Sequence, residues 1–555
     1  MTNAKKKHYD KSIETELKKK SIIFSVWDCE DRNNDAYNWY SLFRRLFKKS
    51  ILFDFRAKKH KMGYENMKKL FFNILKNEKP SFVIFSPVIF GELELYDLKK
   101  IKLISPKTRT IVLFGDDDVG FETLSRYVAL FFDYVLIAQL NYLKKYFKEK
   151  IKNVYTITGA DLEKYKPLPL NKKYDVTFIG TVKSDRIDLL RFLIRNKIYV
   201  NIFGHGWYDY PEFRDNYKGV LSSEDYVKVI NQSKIVLSFS KNHLGKPHFK
   251  GRIFEVGACK TFQLIDYFNE YSNLFKEGSE IIMFKNKNDL LKKIKYYLNN
   301  EDERERIANN CYKSIVKKFN SKKILLSFFK KILLEKNFHK DLPKLNKTVV
   351  SISREDLNDY KKLNEKTKKA DYIEFITSEG KYLPYKSFLQ AYSLDLLKKQ
   401  ISCCSYYVYS KKIGSYLAFN PEFVLINNNY KDFNKLLNIN QLMVTKNFFF
   451  ENLDKIKKAF DTGFIDFVKK KNSVIISIPL VRLEKFNKLS YDKMKNYFQM
   501  KFLSHLYSLI YQKRIFSDSY MYNLLIISLL NKNFFILKHI FYSAFKKENL
   551  IRLKF

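Results

Sequence analysis

The chain reads as an α/β protein: two Rossmann-like domains in series, followed by a C-terminal α/β-to-helical region. Three observations predict this. Short apolar runs alternate with amphipathic stretches of helical period, the pattern of parallel strands covered by helices on both faces. The alternation halts in a polar, Pro-containing stretch near 160–172 and then restarts. After KDLPKLNK (340–347) the pattern changes again.

SIIFSVW (21–27) is a buried strand bounded by the polar turn DCEDRNND, and a helix follows over roughly 35–49. LFDFRA (52–57), PSFVIFSPV (80–88), RTIVLFGD (109–116) and YVLIAQ (134–139) continue the first sheet. YDVTFIGT (174–181), YVNIFGHG (199–206), KIVLSFS (234–240), TFQLID (261–266) and EIIMFKN (280–286) form the second, with the helices of 290–337 closing it. DYIEFITSEGKYLPYKSFLQAY (371–392) then predicts a strand, a turn and a helix, and FDTGFIDFVKKKNSVIISIPL (460–480) a helix and a strand. The expected division is a basic tail over 1–20, domains over 21–165 and 166–340, an α/β segment over 346–490 and helices over 491–555.

With 555 residues the chain has room for several cores. Its 103 Lys and Arg against 59 Asp and Glu leave a formal charge of +44. Lys predominates and is spread along every segment, so diffuse surface charge is preferred to a nucleic-acid surface, and no nucleic-acid partner is expected. The five cysteines are odd in number and without CxxC, which points to a reducing cytosol rather than a disulfide framework or structural zinc. The N-terminal basic residues precede no apolar core of a secretory signal, and SYMYNLLIISLLN (519–531) is too short to span a bilayer. A cytoplasmic protein is the expectation, with peripheral attachment at the inner face of the membrane kept open. SLIYQKRIF and FILKHIFYSAFKK near the C-terminus could lie on an anionic membrane, although packing on their own domain is the commoner use of such a pattern.

The segment richest in chemistry is KGRIFEVGACKTFQLID (250–266). It places Glu255 near the start of a helix, after a loop carrying Lys250 and Arg252. Basic groups and free helix N–H donors suit phosphates, and a carboxylate suits ribose hydroxyls. Asp116, Asp117 and Asp118 follow a first-domain strand end, where a carboxylate could position or deprotonate an acceptor hydroxyl, or simply cap a helix. His205, between two glycines in FGHGW, is a ligand contact or a turn residue. His243 and His248 line a pocket or belong to a surface loop. His8, His60, His339, His505 and His539 have no constellation around them.

FGDDDVGF (114–121), FDYVLIAQ (132–139), the GADLEKYKP linker, YDVTFIGTVKSDR (174–186), IFGHGW (202–207) and the 250–266 segment occur in an order that resembles the spore-maturation-protein-like glycosyltransferases, near the family-4 GT-B enzymes. The resemblance covers residues 21 to about 335. It implies a GT-B arrangement in which the first domain takes an acceptor and the second a nucleotide-diphospho sugar. It also implies ribose binding by Glu255 and diphosphate binding by the Gly180 turn with Lys183, Arg186, Lys250 and Arg252. Asp117, Asp118 and His205 are the catalytic candidates. No metal or other cofactor is expected, and the implied enzyme is a retaining hexosyltransferase acting on a glycan, lipid-linked or protein acceptor in bacterial surface glycan or capsule synthesis or protein glycosylation. Pro247 stands where family-4 enzymes usually carry a second Glu, and Lys260 where Gly is common. A different Rossmann enzyme such as an epimerase is disfavoured because no GxGxxG follows the first strand. A non-catalytic glycan- or partner-binding protein on the same scaffold is the alternative.

DYIEFITSEGKYLPYKS resembles the family-2 GT-A segment that ends in a metal-binding DxD, but the motif position reads Thr377, Ser378, Glu379. A divalent metal on a diphosphate needs two carboxylates there. Asp466 matches an acceptor-side acid. A degenerate GT-A remnant and an unrelated α/β module are both consistent with the segment.

Overall fold

A computed structural model of the chain describes residues 12–26, 35–86, 93–241, 247–335, 338, 341–378, 380–410, 415–419, 439–462 and 472–483. His8, His243, His339, Glu379, Asp466, His505, His539 and the C-terminal helices lie outside the described residues.

The first sheet comprises β1 (Ser21–Val26), β2 (Lys49–Asp54), β3 (Phe82–Ser86), β4 (Arg109–Phe114), β5 (Tyr134–Ile137) and β6 (Val154–Thr156). All pair in parallel, in the order β2-β1-β3-β4-β5-β6. Ile23, Val83, Val112 and Val135 enter one core, while Ile22, Ile84, Ile111 and Leu136 enter another. Such alternation is what a parallel sheet with two covered faces requires. The strand expected at 52–57 is shifted: β2 begins at Lys49, and Phe55–Met62 is helical. Asp54 ends the strand by accepting a hydrogen bond from the Ala57 N–H at 2.9 Å, an N-cap that starts the helix. β6, a three-residue edge strand, was not anticipated.

The second sheet comprises β7 (Tyr174–Ile179), β8 (Val200–Phe203), β9 (Ser233–Ser238), β10 (Phe262–Asp266) and β11 (Ile282–Phe284), again all parallel, in the order β11-β10-β9-β7-β8. The chain leaves β7 for β8 on one side and reaches β9 on the other, so the topological switch point lies between β7 and β9, where doubly wound sheets open a crevice. The stretch expected to close this domain divides. Helices Lys287–Asn299 and Glu301–Lys318 pack on the second sheet, but Ser321–Leu334 returns to the first. There Phe329 meets Phe43, Phe47 and Phe82 with ring centroids 5.1–6.2 Å apart. The Tyr134 hydroxyl donates to the Glu335 carboxylate at 2.8 Å.

The C-terminal region forms a third, mixed sheet of β12 (Val349–Ile352), β13 (Tyr372–Phe375), β14 (Gly380–Tyr382), β15 (Ile401–Ser410), β16 (Ser415–Phe419), β17 (Leu442–Thr445) and β18 (Ser473–Leu483). Its order is β12-β13-β17-β15-β18-β14, with β16 antiparallel to β15. Its apolar face is continuous with the first domain's core: Phe131 packs edge-on against Tyr385 at 4.9 Å, and β18 lies against the π-helical turn Phe121–Ser125. Beyond β13, the Asn440 side chain brackets Thr377, accepting from its N–H at 3.0 Å and donating to its hydroxyl at 2.7 Å. Cys259, Cys311, Cys403 and Cys404 are buried reduced thiols, and no described helix is long and apolar enough to cross a membrane.

Candidate functional site

The cleft wall of the second domain is built at the switch point. Gly180 follows β7, and the Gly204 turn after β8 presses on it. Gly204 has φ of 128°, and a Cβ there would lie 2.4 Å from the Gly180 carbonyl oxygen. The Trp207 indole donates to that same oxygen at 2.6 Å, and the His205 carbonyl accepts from the Val182 N–H at 3.0 Å. His205 thus shapes the Gly180 turn through its backbone.

A Cβ at Gly180 would stand 3.3 Å from an Arg186 nitrogen and 3.4 Å from an Arg252 nitrogen, so two guanidinium groups converge on the bare backbone. Arg186 is 5% exposed and donates to the Thr181 carbonyl at 2.6 Å, while the Nε atoms of Arg186 and Arg252 are buried and meet no partner among the described residues. Burial first, then the Arg252 charge, pushes Arg186 down to about 10. Burial, then repulsion from Lys183, pushes Lys250 down to about 8, and Lys183 is lowered by burial and by Arg186. Lys183, Arg186 and Lys250 are thus all destabilised as cations by burial and by one another's company, an arrangement suited to a polyanion that would restore their charge.

Lys250 precedes the helix Gly251–Ala258, and Glu255 lies one turn in, half-buried. The Tyr226 hydroxyl donates to the Glu255 carboxylate at 2.6 Å and holds it in place. Burial, then the Glu255 charge, raises the Tyr226 phenol well above its ordinary value, keeping it a donor. Lys260, where Gly is common, adopts the left-handed conformation at φ 56°, which accounts for the usual preference there.

The opposite wall comes from the first domain. Asp116 is exposed and makes no side-chain cap bond to the short helix after it, so capping is not its role. Asp117, 1% exposed, turns inward and accepts from the Tyr146 hydroxyl at 3.1 Å. Burial pushes its carboxyl up to about 7, against the lowering influence of the Ser125 and Tyr146 hydroxyls. Asp118, 4% exposed, places an oxygen 2.8 Å from His248 Nδ1 in the loop after β9, and Asp116 lies 3.7 Å from Nε2 of the same ring. Asp116, Asp118 and His248 offer three ligand atoms within 4.8 Å of one another, enough to hold a divalent cation. The charges of both acids also act on Lys183 and Lys250, so side chains already supply positive charge on that side of the cleft.

The structure therefore gathers Gly180, Lys183, Arg186, Lys250 and Arg252 at one point, with Glu255 on the helix that Lys250 and Arg252 lead into. Asp116 and Asp118 face them, and Asp117 points away. Pro247, exposed, pairs across a bridge with Lys241 and brings no carboxylate to the site. The sequence carried no sign of Gln139, which lies 1% exposed two residues beyond β5 and binds the loop of the other domain. Its partners are about 110 residues away.

Residues 186–329 match the family model described as glycosyl transferase-like. The chain is 25% identical to spore protein CgeB of Bacillus subtilis (strain 168) over a match that covers 37% of this chain and 69% of that protein. Among solved structures it is similar to Anabaena HepE, crystallised with UDP and glucose, at 12% identity and a TM-score of 0.41, covering 57% of this chain and 99% of that one. A glycosyltransferase from Rickettsia africae ESF-5 gives 13% identity and a TM-score of 0.43 over 57% and 99%. Two parallel-sheet domains thus meet at a cleft, residues 186–329 of the second and the helices after it are similar to the glycosyl transferase-like family, and part of the chain is similar to CgeB.

Proposed function

We propose that the protein transfers a sugar from a nucleotide-diphospho sugar to an acceptor bound by the first domain. The observation that carries this reading is the convergence of Lys183, Arg186, Lys250 and Arg252 on the Gly180 turn, at the switch point of the second sheet. As the glycosidic bond breaks, negative charge grows on the departing diphosphate, and fixed cations stabilise that charge most where water is excluded. Glu255, oriented by Tyr226, would accept hydrogen bonds from the ribose hydroxyls. Asp116 and Asp118 face the cations, where Asp118 would orient an acceptor hydroxyl. Because side chains provide the charge, the transfer is proposed to run without a metal; retention at the anomeric carbon is proposed from the family resemblance alone. Glycan, lipid-linked and protein acceptors of bacterial surface glycan synthesis or protein glycosylation are the proposed acceptor classes.

A second reading, binding without turnover, is favoured by Pro247, which puts no carboxylate where the donor sugar would be gripped. A panel of UDP-, GDP-, CDP- and dTDP-sugars separates the two, scored by thermal shift and by release of the nucleoside diphosphate with and without EDTA. Stabilisation with acceptor-dependent release supports transfer. Stabilisation without release supports the binding protein, and no stabilisation by any donor refutes both.

A further inference from the structure

Gln139 joins the two walls of the cleft. It lies two residues beyond β5 of the first domain, yet its amide oxygen accepts from the Phe249 N–H of the second domain at 2.9 Å. Its amide nitrogen lies 3.2 Å from the Phe249 carbonyl, 3.1 Å from His248 Nε2 and 3.0 Å from the Gly115 carbonyl, immediately before Asp116. The amide oxygen thus takes the Phe249 N–H, and the two N–H donors of the nitrogen are shared among the Phe249 carbonyl, the Gly115 carbonyl and the His248 ring. On the other side of the ring an Asp118 oxygen lies 2.8 Å from Nδ1. The next residues along the loop are Lys250 and Arg252, two of the four cations, and then the helix with Glu255.

We propose that Gln139 is a positioning residue: it clamps His248 and Phe249 so that the donor cations and the first-domain acids stand in one fixed register. The consequence for turnover rests on the donor reading above, whereas the clamp itself does not. The nucleotide contacts proposed above all come from the second domain, so loss of the clamp should leave nucleotide affinity intact and misplace donor against acceptor. Displacements of about 1 Å between reacting groups lower turnover by about 10²-fold.

The test is Gln139→Met, which keeps the volume and deletes both amide groups, compared with the wild-type full chain. Hydrogen exchange should speed up at least about tenfold in the peptide containing Phe249, as local opening replaces a held amide. UDP affinity should stay within about twofold while kcat falls about 10²-fold at nearly constant donor KM, the signature of lost geometry rather than lost binding. Unchanged exchange at Phe249, or UDP affinity falling as far as kcat, overturns the proposal. If Gln139→Met fails to fold, Gln139→Asn, one methylene too short to reach Phe249, is read by the same criteria. If the wild-type protein binds no nucleoside diphosphate, the donor reading fails while the exchange result still decides the clamp.

Discussion

Lys250 offers the sharpest test of the site's electrostatics. Its ammonium is pushed down to about 8, first by burial and then by Lys183, from an ordinary value of 10.5. A bound diphosphate would offset both causes by supplying opposite charge, so binding takes up a proton above pH 8. If the complex restores 10.5, linkage makes affinity at pH 9.5 about 30-fold weaker than at pH 7. The direction follows from the sign: a cation lowered in the free protein and raised in the complex favours binding below its free value and opposes it above. Lys250→Met should bind more weakly at pH 7 and lose most of this slope, leaving the smaller dependence contributed by Lys183, which is also lowered. Isothermal titration with UDP from pH 6.5 to 9.5 reads both. A wild-type affinity that is flat across that range, or a Lys250→Met slope equal to wild type, would refute the account of mutually destabilised cations.

Asp117 should control stability instead of chemistry. Its folded value of about 7 stands above the unfolded 3.8, so the stability tied to its proton is complete below pH 4 and is lost as pH rises through 7, amounting to about 4 kcal/mol at the limit. Asp117→Asn should therefore gain on wild type between pH 5.5 and 8 in urea unfolding, and a constant difference across those pH values contradicts the buried-acid assignment. Gly204→Ala places a Cβ 2.4 Å from the Gly180 carbonyl at a φ of 128°. It should cost about 1–3 kcal/mol in unfolding free energy and weaken UDP binding in parallel, and a neutral result would mean that the two turns can separate freely. In the third sheet, buried Lys386 pairs with Glu374 at 3.1 Å while Ser351 and Ser387 each donate to Glu374 at 2.8 Å. Lys386→Met leaves that carboxylate without its cation and should cost about 3–5 kcal/mol, with a loss under about 1 kcal/mol counting against the pair's structural role.

The third sheet's placement could not be read from the chain. DYIEF and SVIISIPL read as strands from their apolar runs, but nothing local marks β18 as the partner of the π-helical turn that follows Asp116–Asp118. That contact joins residues some 350 positions apart. The return of Ser321–Leu334 to the first sheet was hidden for the same reason: its apolar face, carrying Leu325, Phe328 and Phe329, would suit either domain, and only the aromatic ring of Phe43, Phe47 and Phe82 decides. The acid run shows the limit at the scale of single residues. Three consecutive aspartates are equivalent as sequence, yet one is exposed, one is buried against Tyr146 and one meets a histidine from the other domain.

By itself the sequence determined the two parallel sheets, their strands apart from β6 to within a few residues, and the residue types assembled at the Gly180 turn. These follow from local rules: apolar period, turn chemistry and the pairing of basic loops with helix starts. Tertiary structure alone decided which aspartates face the cleft, that Lys183, Arg186 and Lys250 are crowded enough to be shifted, and that Gln139 holds the two domains in register. Those are properties of distance and burial between segments far apart in the chain: the cations are crowded within the second domain, and the Asp118–His248 and Gln139–Phe249 contacts come into being where the two domains meet.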